Sequence, residues 1–491
     1  MPNYTAGQGI EITTNPDTIS SKTTSSSQLG SFKVDGDSLY VDNNKVLHKK
    51  KRQTITLSDT SITVSGSDTV TASTNGDGTL SVQSSNTSIV TASISNGTIT
   101  LNAVSDGNAT VTVTASGTST WASGSASINV TAEAIHIYGA EWDGSSDPSW
   151  TRTDGAVGFE DPNPYYSGMS GTPSSPFDNI SPWKDMRIVE DASAGTLVEI
   201  PKFYYKWTRN GSTMKLQISP DEQTDEGWHV SPAHADRGDD VGERDYVYIG
   251  RYHCASTYKS AAGVTPVANY TRAQFRTSIH NLGTNIWQND YAMRWTVNML
   301  YLVEFADWNS QDKIGYGCGE AKGNMGYTDN MGYHTGTTQN SRTTYGLGTQ
   351  YRNIEGWWDN VRDWVDGIYF SGTNIYGIKN PANFSDSSGG TAIGTRASAS
   401  GYIKAWTEPS VSGFEYALYP NSTDSNLDGT TYIGDNCYYY SSGVVLNAGG
   451  GYGQNQEYGA FYLGGGSATT SKSANIGSRL MVLPPSRLSS T

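Results

Sequence analysis

Tyrosines are concentrated near the C-terminal end of this sequence, in a segment with very little charge. Gly, Asn, Ser and Gln surround Tyr432, Tyr438, Tyr439, Tyr440, Tyr452, Tyr458 and Tyr462, and no Lys or Arg occurs between Lys404 and Lys472. Tyr offers a large amphipathic contact surface with only two rotatable angles, while Ser, Gly and Asn add adaptable hydrogen bonds, as in antibody binding loops. The segment therefore favours non-covalent recognition. The alternative is that Gly/Tyr-rich strands and turns simply reflect a loop-heavy all-β structure.

The position of each tyrosine relative to apolar residues predicts which of them are exposed. Tyr438, Tyr439 and Tyr440 are consecutive, so strand alternation cannot hide all three on one face. Gly and polar neighbours favour exposure of Tyr452 and Tyr458, whereas the apolar residues at 444–446, 460, 461 and 463 are expected to face the core. Tyr462 flanks that apolar run, so burial is an alternative for it. The predicted ligand-binding residues are Asp435, Asn436, Tyr438, Tyr439, Tyr440, Asn447, Tyr452, Gln454, Asn455, Gln456, Tyr458 and Tyr462.

Residues that often carry catalysis or bind metals occur here without a supporting pattern. His229 and His234, near two aspartates, match no zinc spacing. The adjacent acids Glu160-Asp161 and Glu190-Asp191 say little about carboxylates paired in space, so glycoside hydrolysis has no positive support. We expect no catalytic residues, no metal site and no cofactor, while structural calcium held by backbone oxygens and acids remains open.

Charge and cysteine content exclude several classes of protein. The formal net charge of −15 and the isoelectric point near 4.9 argue against nucleic acid or an anionic membrane as the main partner. Cys254, Cys318 and Cys437 are an odd, widely spaced set, which predicts buried free thiols rather than a disulfide framework. The sequence start lacks a signal-peptide pattern, and no apolar run reaches bilayer length, so we expect cytoplasmic synthesis without membrane insertion.

The composition along the 491 residues predicts three regions. Residues 1–52 are rich in Ser, Thr and Asn and end in the basic run at 48–52, as expected of a docking arm or linker. Residues 53–133 contain short alternating segments at 54–57, 61–64, 98–101 and 110–113, separated by Asn-Gly and Asp-Gly turns, which predicts a small β-sandwich. Residues 134–491 are aromatic-rich and indicate one large domain, with a possible subdivision near 260.

Two helices are predicted inside the large region. Thr271 to Gln274 has the capping-box pattern, and Phe275, Ile279 and Leu282 follow at helical spacing. A second, more buried helix is expected over about 289–307, where Met293, Val297, Leu300 and Val303 recur at helical spacing. Helices within an otherwise Gly-rich, strand-and-loop sequence indicate an α+β domain.

Several segments resemble phage and adhesin proteins. Residues 83–115, QSSNTSIVTASISNGTITLNAVSDGNATVTVTA, resemble the bacterial immunoglobulin-like domain of intimin-type adhesins and phage tail proteins. That resemblance implies a spacer, with a weak carbohydrate-binding module as the alternative. The stretch at 6–22 resembles the start of many tail-fibre and tail-tip proteins, and those at 199–206, 227–235 and 307–315 resemble segments of tail proteins of Gram-positive gut phages and prophages.

A further resemblance concerns the fold of the large region. Residues 360–367, NVRDWVDG, resemble the Asn-Val-Trp-Glu-Trp-Val core segment of the C-type lectin fold, in the branch shared with formylglycine-generating enzymes, although Arg362 and Asp363 depart from it. Residues 476–480 look like the closing strand of that fold. In proteins of this branch that diversity-generating retroelements mutate, variable residues precede the closing Gly-x-Arg strand. The resemblance thus implies a variable region at about 431–466, and a matching template repeat downstream of the gene.

Two activities of these families are not supported by the motifs present. Formylglycine-generating enzymes bind copper through nearby cysteines, and Cys318 and Cys437 are far apart in sequence. Calcium-dependent lectins use Glu-Pro-Asn or Gln-Pro-Asp followed by Trp-Asn-Asp, which neither Glu408-Pro409-Ser410 nor Asp359-Asn360 matches. We therefore expect a non-enzymatic protein.

The combined interpretation is a multidomain phage tail protein that binds the host surface. We expect an N-terminal extended arm that docks to other tail proteins, an all-β immunoglobulin-like sandwich, and an α+β C-type lectin (formylglycine-generating-enzyme-like) domain. The ligand would be a cell-surface glycan or protein. Resemblance to tail fibres implies a virion component and a homotrimer, whose several copies add avidity. The alternatives are a structural tail or capsid-decoration component and, third, a bacterial surface adhesin.

Overall fold

The computed structural model describes residues 10–12, 18–21, 39–41, 47–134, 136–166, 172–317, 321–333, 335–336, 348–425, 433–454 and 457–488. The chain divides into two compact units between Ile135 and His136. Strands greatly outnumber helices among the described residues, so the fold is mostly β and is built from more than one unit.

Short strands make up the first unit. They are β1 Ile10–Ile12, β2 Thr18–Ser21, β3 Leu39–Val41, β4 Leu47–Lys49, β5 Lys51–Arg52, β6 Ile55–Leu57, β7 Ser61–Ser65, β8 Ser67–Thr74, β9 Leu80–Ser84, β10 Val90–Ser95, β11 Thr98–Ala103, β12 Gly107–Ala115, β13 Trp121–Ala122 and β14 Gly124–Glu133. The first four pair in the order β1-β2-β4-β3. The described residues of the expected extended arm are therefore paired strands, because backbone hydrogen bonding between extended segments needs few apolar side chains.

Two four-stranded sheets share the core of this unit. Their orders are β10-β11-β8-β6 and β7-β14-β12-β9, and β7 runs parallel to β14. Val70, Ile99, Val111 and Ile128 are fully buried in the core between them. Thr and Ser occupy the alternate positions and face outward, so the period-2 pattern correctly predicted these strands.

The first part of the second unit mixes strands with short helices. In chain order it contains β15 Tyr138–Trp142, β16 Thr151–Asp154, β17 Tyr165–Tyr166, 3-10 turns at Pro176–Asn179 and Trp183–Asp185, β18 Arg187–Asp191, β19 Gly195–Pro201, β20 Tyr204–Asn210, β21 Thr213–Ser219, β22 His229–Val230, β23 Tyr246–Gly250, α1 Arg272–His280, β24 Ile286–Gln288, α2 Tyr291–Phe305, α3 Ser310–Lys313, β25 Thr335–Gly336, β26 Gln350–Tyr351 and β27 Ile354–Glu355.

The rest of the second unit is almost entirely strand and turn. It contains β28 Arg362–Ser371, β29 Asn374–Gly377, a 3-10 turn at Pro381–Asn383, β30 Thr391–Thr395, β31 Gly401–Trp406, β32 Pro420–Asp424, β33 Asn436–Tyr439, β34 Val445–Ala448, β35 Leu463–Ser467, β36 Ile476–Ser478 and β37 Leu480–Val482.

Most of these later strands form one large sheet, called the central sheet below. Its order is β30-β29-β28-β34-β35-β33-β31-β32, and β36 pairs with β28 outside that path. Three smaller sheets surround it, with the orders β16-β15-β21-β20-β22, β17-β25-β26-β27 and β18-β19-β23-β37-β24. The tyrosine-rich segment thus contributes three strands, β33, β34 and β35, to the middle of the central sheet.

Both predicted helices are present, and their caps explain where they begin. The Thr271 side chain accepts a hydrogen bond from Gln274 N and the Gln274 side chain accepts one from Thr271 N, so α1 starts with the predicted capping box. Asp290 accepts from Met293 N and starts α2, whose side chains are all buried. Arg294 of α2 donates to Ala460 O at 2.7 Å, and this bond connects the helix to the tyrosine-rich segment.

The expected single closing strand at 476–480 is instead divided between two sheets. β36 lies beside β28 in the central sheet, while β37 lies between β23 and β24. Arg479 stands between the two strands and is fully buried. It donates to Gly250 O at 2.7 Å and to Glu355 O at 2.6 Å, and these bonds join the two sheets at the point where the chain crosses between them.

The hydropathy and length of the helices bear on membrane association. Among the residues that the structure describes, no helix combines the length and the apolar character needed to cross a bilayer.

Candidate functional site

An exposed pair of tyrosine rings lies at the end of β33. Tyr438 is 40% exposed and Tyr440 is 54% exposed, and their ring centroids lie 5.4 Å apart. The hydrogen bond between the two hydroxyls is the main cause of a raised pKa at Tyr438, with partial burial as the second cause. Ser441 and Ser442, also exposed, form the tip of a turn that Gly443 N closes on Tyr440 O at 2.9 Å. The expectation that at least one of the three consecutive tyrosines faces outward is confirmed.

Polar side chains from the neighbouring strand extend this surface. Tyr402 of β31 pairs with Asn436 of β33, so the two side chains share one face of the sheet with Tyr438. Glu457 accepts from the Tyr402 hydroxyl at 2.9 Å and from Asn436 Nδ2 at 3.5 Å. Burial, followed by this bond, raises the pKa of Tyr402 to about 12. The surface called the tyrosine face below comprises the exposed Tyr438 and Tyr440, the half-buried Asn436, Glu457 and Tyr458, and the largely buried Tyr402.

Arg396 supports the tyrosine face from the opposite side of the sheet. The residue is 4% exposed, and its guanidinium donates to backbone carbonyls of Gly372 (2.8 Å) and Gly443 (2.9 Å), as well as to those of Tyr440 and Gly465. Its carbon Cζ lies 4.8 Å from the ring centroid of Tyr439. Burial lowers the pKa of Arg396, as expected where the charged form is desolvated. The turn that carries Tyr440 is therefore fixed through its backbone.

Three consecutive glycines in β35 permit the close packing beneath the tyrosines. A Cβ at Gly466 would lie 2.9 Å from Tyr440 Cδ2 and 3.0 Å from Tyr438 Cδ1. One at Gly464 would lie 2.5 Å from Asn447 Oδ1, and one at Gly465 would lie 2.7 Å from Arg396 Nη1. These glycines are needed because other groups approach the backbone closely.

Three of the predicted ligand-binding residues, Asp435, Asn447 and Tyr462, are buried. Asp435 accepts hydrogen bonds from Gly459 N at 2.6 Å and Phe461 N at 2.7 Å, and burial raises its pKa to about 7. Asn447 donates to Gly464 O at 3.0 Å. Tyr462 packs on Tyr458 with ring centroids 4.4 Å apart. Each is at most 3% exposed, so these residues shape the surface from below and a ligand cannot contact them directly.

The remaining predicted residues that the structure describes are less exposed than Tyr438 and Tyr440. Tyr439, Tyr452, Gln454 and Tyr458 are half-buried, so the exposure expected for Tyr452 and Tyr458 is only partial. Tyr452 N donates to Asn360 O, and Gln454 Oε1 accepts from Gly451 N at 2.7 Å, which fixes that loop. Asn455 and Gln456 lie outside the described residues, as does Tyr432.

Sequence reasoning missed three residues of the site or its support: Tyr402, Glu457 and Arg396. Tyr402 and Arg396 precede the tyrosine-rich segment and reach it only through sheet pairing. Glu457 is the one acid within the tyrosine-rich stretch at 436–466, and that isolation was an available signal. A lone carboxylate amid Tyr and Asn donors usually serves as a hydrogen-bond acceptor.

Of the histidines and cysteines considered as alternative reactive groups, His234 and the described cysteines lie in the core, whereas His229 is half-buried. His234 is buried, pairs through Nε2 with Ile200 O at 3.0 Å, and has its pKa lowered to about 3 by burial. Cys254 and Cys437 are buried free thiols, and burial raises the pKa of Cys437 to about 12, while Cys318 lies outside the described residues. Among the described residues no three His, Cys, Asp or Glu side chains are grouped so as to hold a metal ion.

Comparison of the chain with known proteins adds no identification. No protein-family model matches the sequence, and no curated protein sequence matches it.

Proposed function

We propose that this protein is a receptor-binding or adhesion protein of a phage tail, and that its tyrosine face binds a ligand on the host cell surface. The observation that carries the proposal is the exposed Tyr438–Tyr440 pair on a fixed sheet and turn. Two aromatic side chains exposed side by side form an apolar patch, and exposed apolar patches, unlike isolated exposed apolar residues, mark interaction sites.

The rigidity of the surrounding structure favours binding over a purely structural role for these rings. The backbone of the turn is held by Arg396, and the rings rest on Gly466. Little conformational freedom is therefore lost when a ligand binds, and this raises affinity without additional contacts. The aromatic faces supply apolar contact, and Asn436, Glu457 and the tyrosine hydroxyls supply directed hydrogen bonds.

We propose the C-type lectin fold for the second unit and an immunoglobulin-like spacer for the first. The two longer helices, α1 and α2, precede the central sheet, and the segment resembling the lectin core forms the start of β28 in that sheet. The last strand, β37, pairs with β23, which precedes α1, so the C-terminal strand joins a sheet that begins earlier in the unit. The sandwich of the first unit, with its parallel β7–β14 pair, supports the spacer.

Retroelement diversification is the proposed source of the Tyr, Asn and Ser residues on this surface. It predicts adenine-rich variable codons between 431 and 466 and a template repeat near the gene, both readable from the nucleotide sequence. A locus that lacks any such repeat would remove this part of the proposal.

We further propose that the protein docks to other tail proteins through residues 1–52 and assembles as a homotrimer. Light scattering should then give three times the 52.8 kDa chain mass.

Binding of the full chain to whole candidate host cells tests the proposed function. The Tyr438→Ala/Tyr440→Ala double variant should lose cell binding, while wild-type binding should persist in EDTA. Tyr270→Ala is a matched control, because Tyr270 is 38% exposed but lies outside the tyrosine face.

The competing function is a structural tail or capsid-decoration component. In that case the double variant would bind cells as well as wild type does, or no cell type would bind the folded protein. Failure of the double variant to assemble into particles would also favour the structural role.

A further inference from the structure

A groove outside the tyrosine face opens on the second unit and has two lobes. The first is a cavity of about 270 Å³ between β20, β22 and residues 408–418. The second is a cavity of about 240 Å³ lined by residues of β15, β21, β31 and β32. Arg209 and Met214 line both cavities, so the two lie side by side. Together they reach the range of ordinary small-ligand sites, roughly 300–1,000 Å³.

Aromatic residues line both lobes, but their exposure to a ligand differs. Tyr205, Trp207 and His229 line the first lobe, and the Tyr205 and His229 ring centroids lie 5.6 Å apart. Trp207 packs edge-on against Trp295 at 6.2 Å, so its orientation is fixed from behind. Trp142 of the second lobe and Tyr205 of the first are only 3% and 1% exposed, whereas Trp207 and His229 are half-buried. Trp207 and His229 are therefore the rings that can pack against the apolar C–H face of a sugar ring.

Charged groups at the rim balance one another. Arg209 forms an ion pair with Glu408 and also donates to Trp406 O at 3.5 Å. Glu415 is held by the backbone, since its two carboxylate oxygens accept from Gly413 N at 2.9 and 2.8 Å. Lys404 lines the second lobe and donates to Asp424 at 3.2 Å. The formal charges of the two cations and two anions that line the groove sum to zero. The groove therefore offers hydrogen-bond donors and acceptors without favouring a charged ligand.

We infer that this groove binds an uncharged oligosaccharide, with one sugar ring on Trp207 and His229 in the first lobe and the next ring beyond Arg209 in the second. Trp207 and His229 stack on the first ring, and Arg209, Glu408 and Glu415 make charge-assisted hydrogen bonds to hydroxyls. Lys404 lies two positions after Tyr402 on β31, so the groove adjoins the tyrosine face but shares none of its residues. Saccharide binding in the groove is therefore independent of whether the tyrosine face binds a receptor.

Saturation-transfer NMR on the full chain with chitotriose, maltotriose and cellotriose tests this inference, followed by calorimetry with any that binds. We expect at least one trisaccharide to receive saturation and the Arg209→Ala/Glu408→Ala variant to bind it at least about tenfold more weakly. This variant removes both charges of one ion pair, so neither partner is left unpaired. Lys202→Ala/Asp245→Ala removes a similar exposed ion pair that lines neither cavity, and should bind normally.

Two further variants distinguish binding in the groove from binding at the tyrosine face. Glu415→Gln keeps the shape of the side chain and should also weaken saccharide binding, whereas Tyr438→Ala/Tyr440→Ala should leave it unchanged. Absence of saturation transfer to all three trisaccharides would overturn the inference. So would saccharide binding that the tyrosine variant abolishes and the groove variants do not, because the sugar would then occupy the tyrosine face. Thermal melts of each variant confirm that it is folded.

Discussion

Gly466 illustrates how a residue without a side chain determines the shape of the tyrosine face. Tyr438 and Tyr440 both lie against its backbone, on the side where any other residue would place a Cβ. The two rings can therefore rest on the sheet and remain at a fixed separation.

Replacing Gly466 tests this arrangement. Gly466→Ala should push both tyrosine rings outward and weaken ligand binding, yet change the free energy of unfolding by less than about 1 kcal/mol, since exposed rings can move into solvent. Cell binding and urea denaturation measure the two effects. Gly453→Ala is unsuitable as a control because its φ is +68°, whereas Ser442→Ala lies on the same turn and should change neither property. Unchanged binding by Gly466→Ala would show that the ring positions are unimportant.

Arg396 should matter for both stability and binding. Arg396→Ala leaves backbone carbonyls of Gly372, Gly443 and Gly465 without their donor, which we expect to cost about 3 kcal/mol of unfolding free energy. Arg396→Lys should recover only part of the lost unfolding free energy, because an ammonium group cannot reach carbonyls in several directions at once. Denaturation curves compare both with Lys202→Ala, an exposed ion-pair variant expected to lose about 0.5 kcal/mol. Equal losses for all three would contradict the supporting role.

Asp435 predicts a specific pH dependence of stability. Because burial raises its pKa from 3.8 to about 7, the folded state holds the proton more tightly than the unfolded state does. The contribution of Asp435 to the unfolding free energy therefore falls as pH rises from about 4 to about 7, by at most about 1.4 kcal/mol per pH unit. Above about pH 7 this contribution is constant. Relative to wild type, Asp435→Asn should gain stability across this window. A difference between the two proteins that does not vary with pH would show that Asp435 ionises normally.

At the scale of elements, the N-caps of the two main helices lie in different surroundings. Thr271 caps α1 at a half-exposed position. Asp290 caps α2 in the core, where it also forms an ion pair with the buried Arg237. The same cap chemistry is therefore coupled to a buried charge in only one of the two helices.

The two caps should differ in their contribution to stability. Thr271→Ala should cost about 1 kcal/mol, the usual value for an N-cap. Asp290→Ala should cost about 3–5 kcal/mol, because it also leaves the Arg237 guanidinium buried without its carboxylate. Urea unfolding measures both, and circular dichroism checks that the helices persist. Similar costs for the two variants would mean that the ion pair contributes little.

The elements differ in how well the sequence predicts them, for identifiable reasons. Capping residues and helical spacing predicted α1 and α2, and alternation of Thr with apolar residues predicted β11 and β12, because these signals are local. Strand β35 carries Gly464–Gly466, whose lack of side chains removes any pattern of alternation and suggests a loop. The pairing of Tyr402 with Asn436 joins strands that are distant in sequence. Sheet partners, and hence the composition of the tyrosine face, were for that reason not predictable.

At the scale of the whole molecule, the two units have separate hydrophobic cores. The core of the first unit consists of residues between Val64 and Ala132, and the buried clusters of the second unit begin with Ala140. Cooperative unfolding depends on a shared core, and separate cores permit separate transitions.

Calorimetry of the full chain should therefore show two unfolding transitions. Ile99→Ala removes a fully buried side chain of the first unit and should cost about 2–5 kcal/mol, lowering the midpoint of one transition and leaving the other in place. Ser93→Ala, at an exposed position of the same sheet, should move neither. A single transition that shifts as a whole with Ile99→Ala would indicate that the two units unfold together.

The way Arg396 holds the exposed turn has a consequence for protein engineering. Its hydrogen bonds go to main-chain carbonyls of residues 372, 440, 443 and 465, which every amino acid possesses. The anchor therefore does not depend on which side chains stand at positions 438 and 440–442. A combinatorial library randomised at these positions, with Arg396 and Gly464–Gly466 kept, should yield folded members at high frequency. The second unit thus has the properties of a display scaffold, in which binding specificity can be exchanged while the framework stays constant.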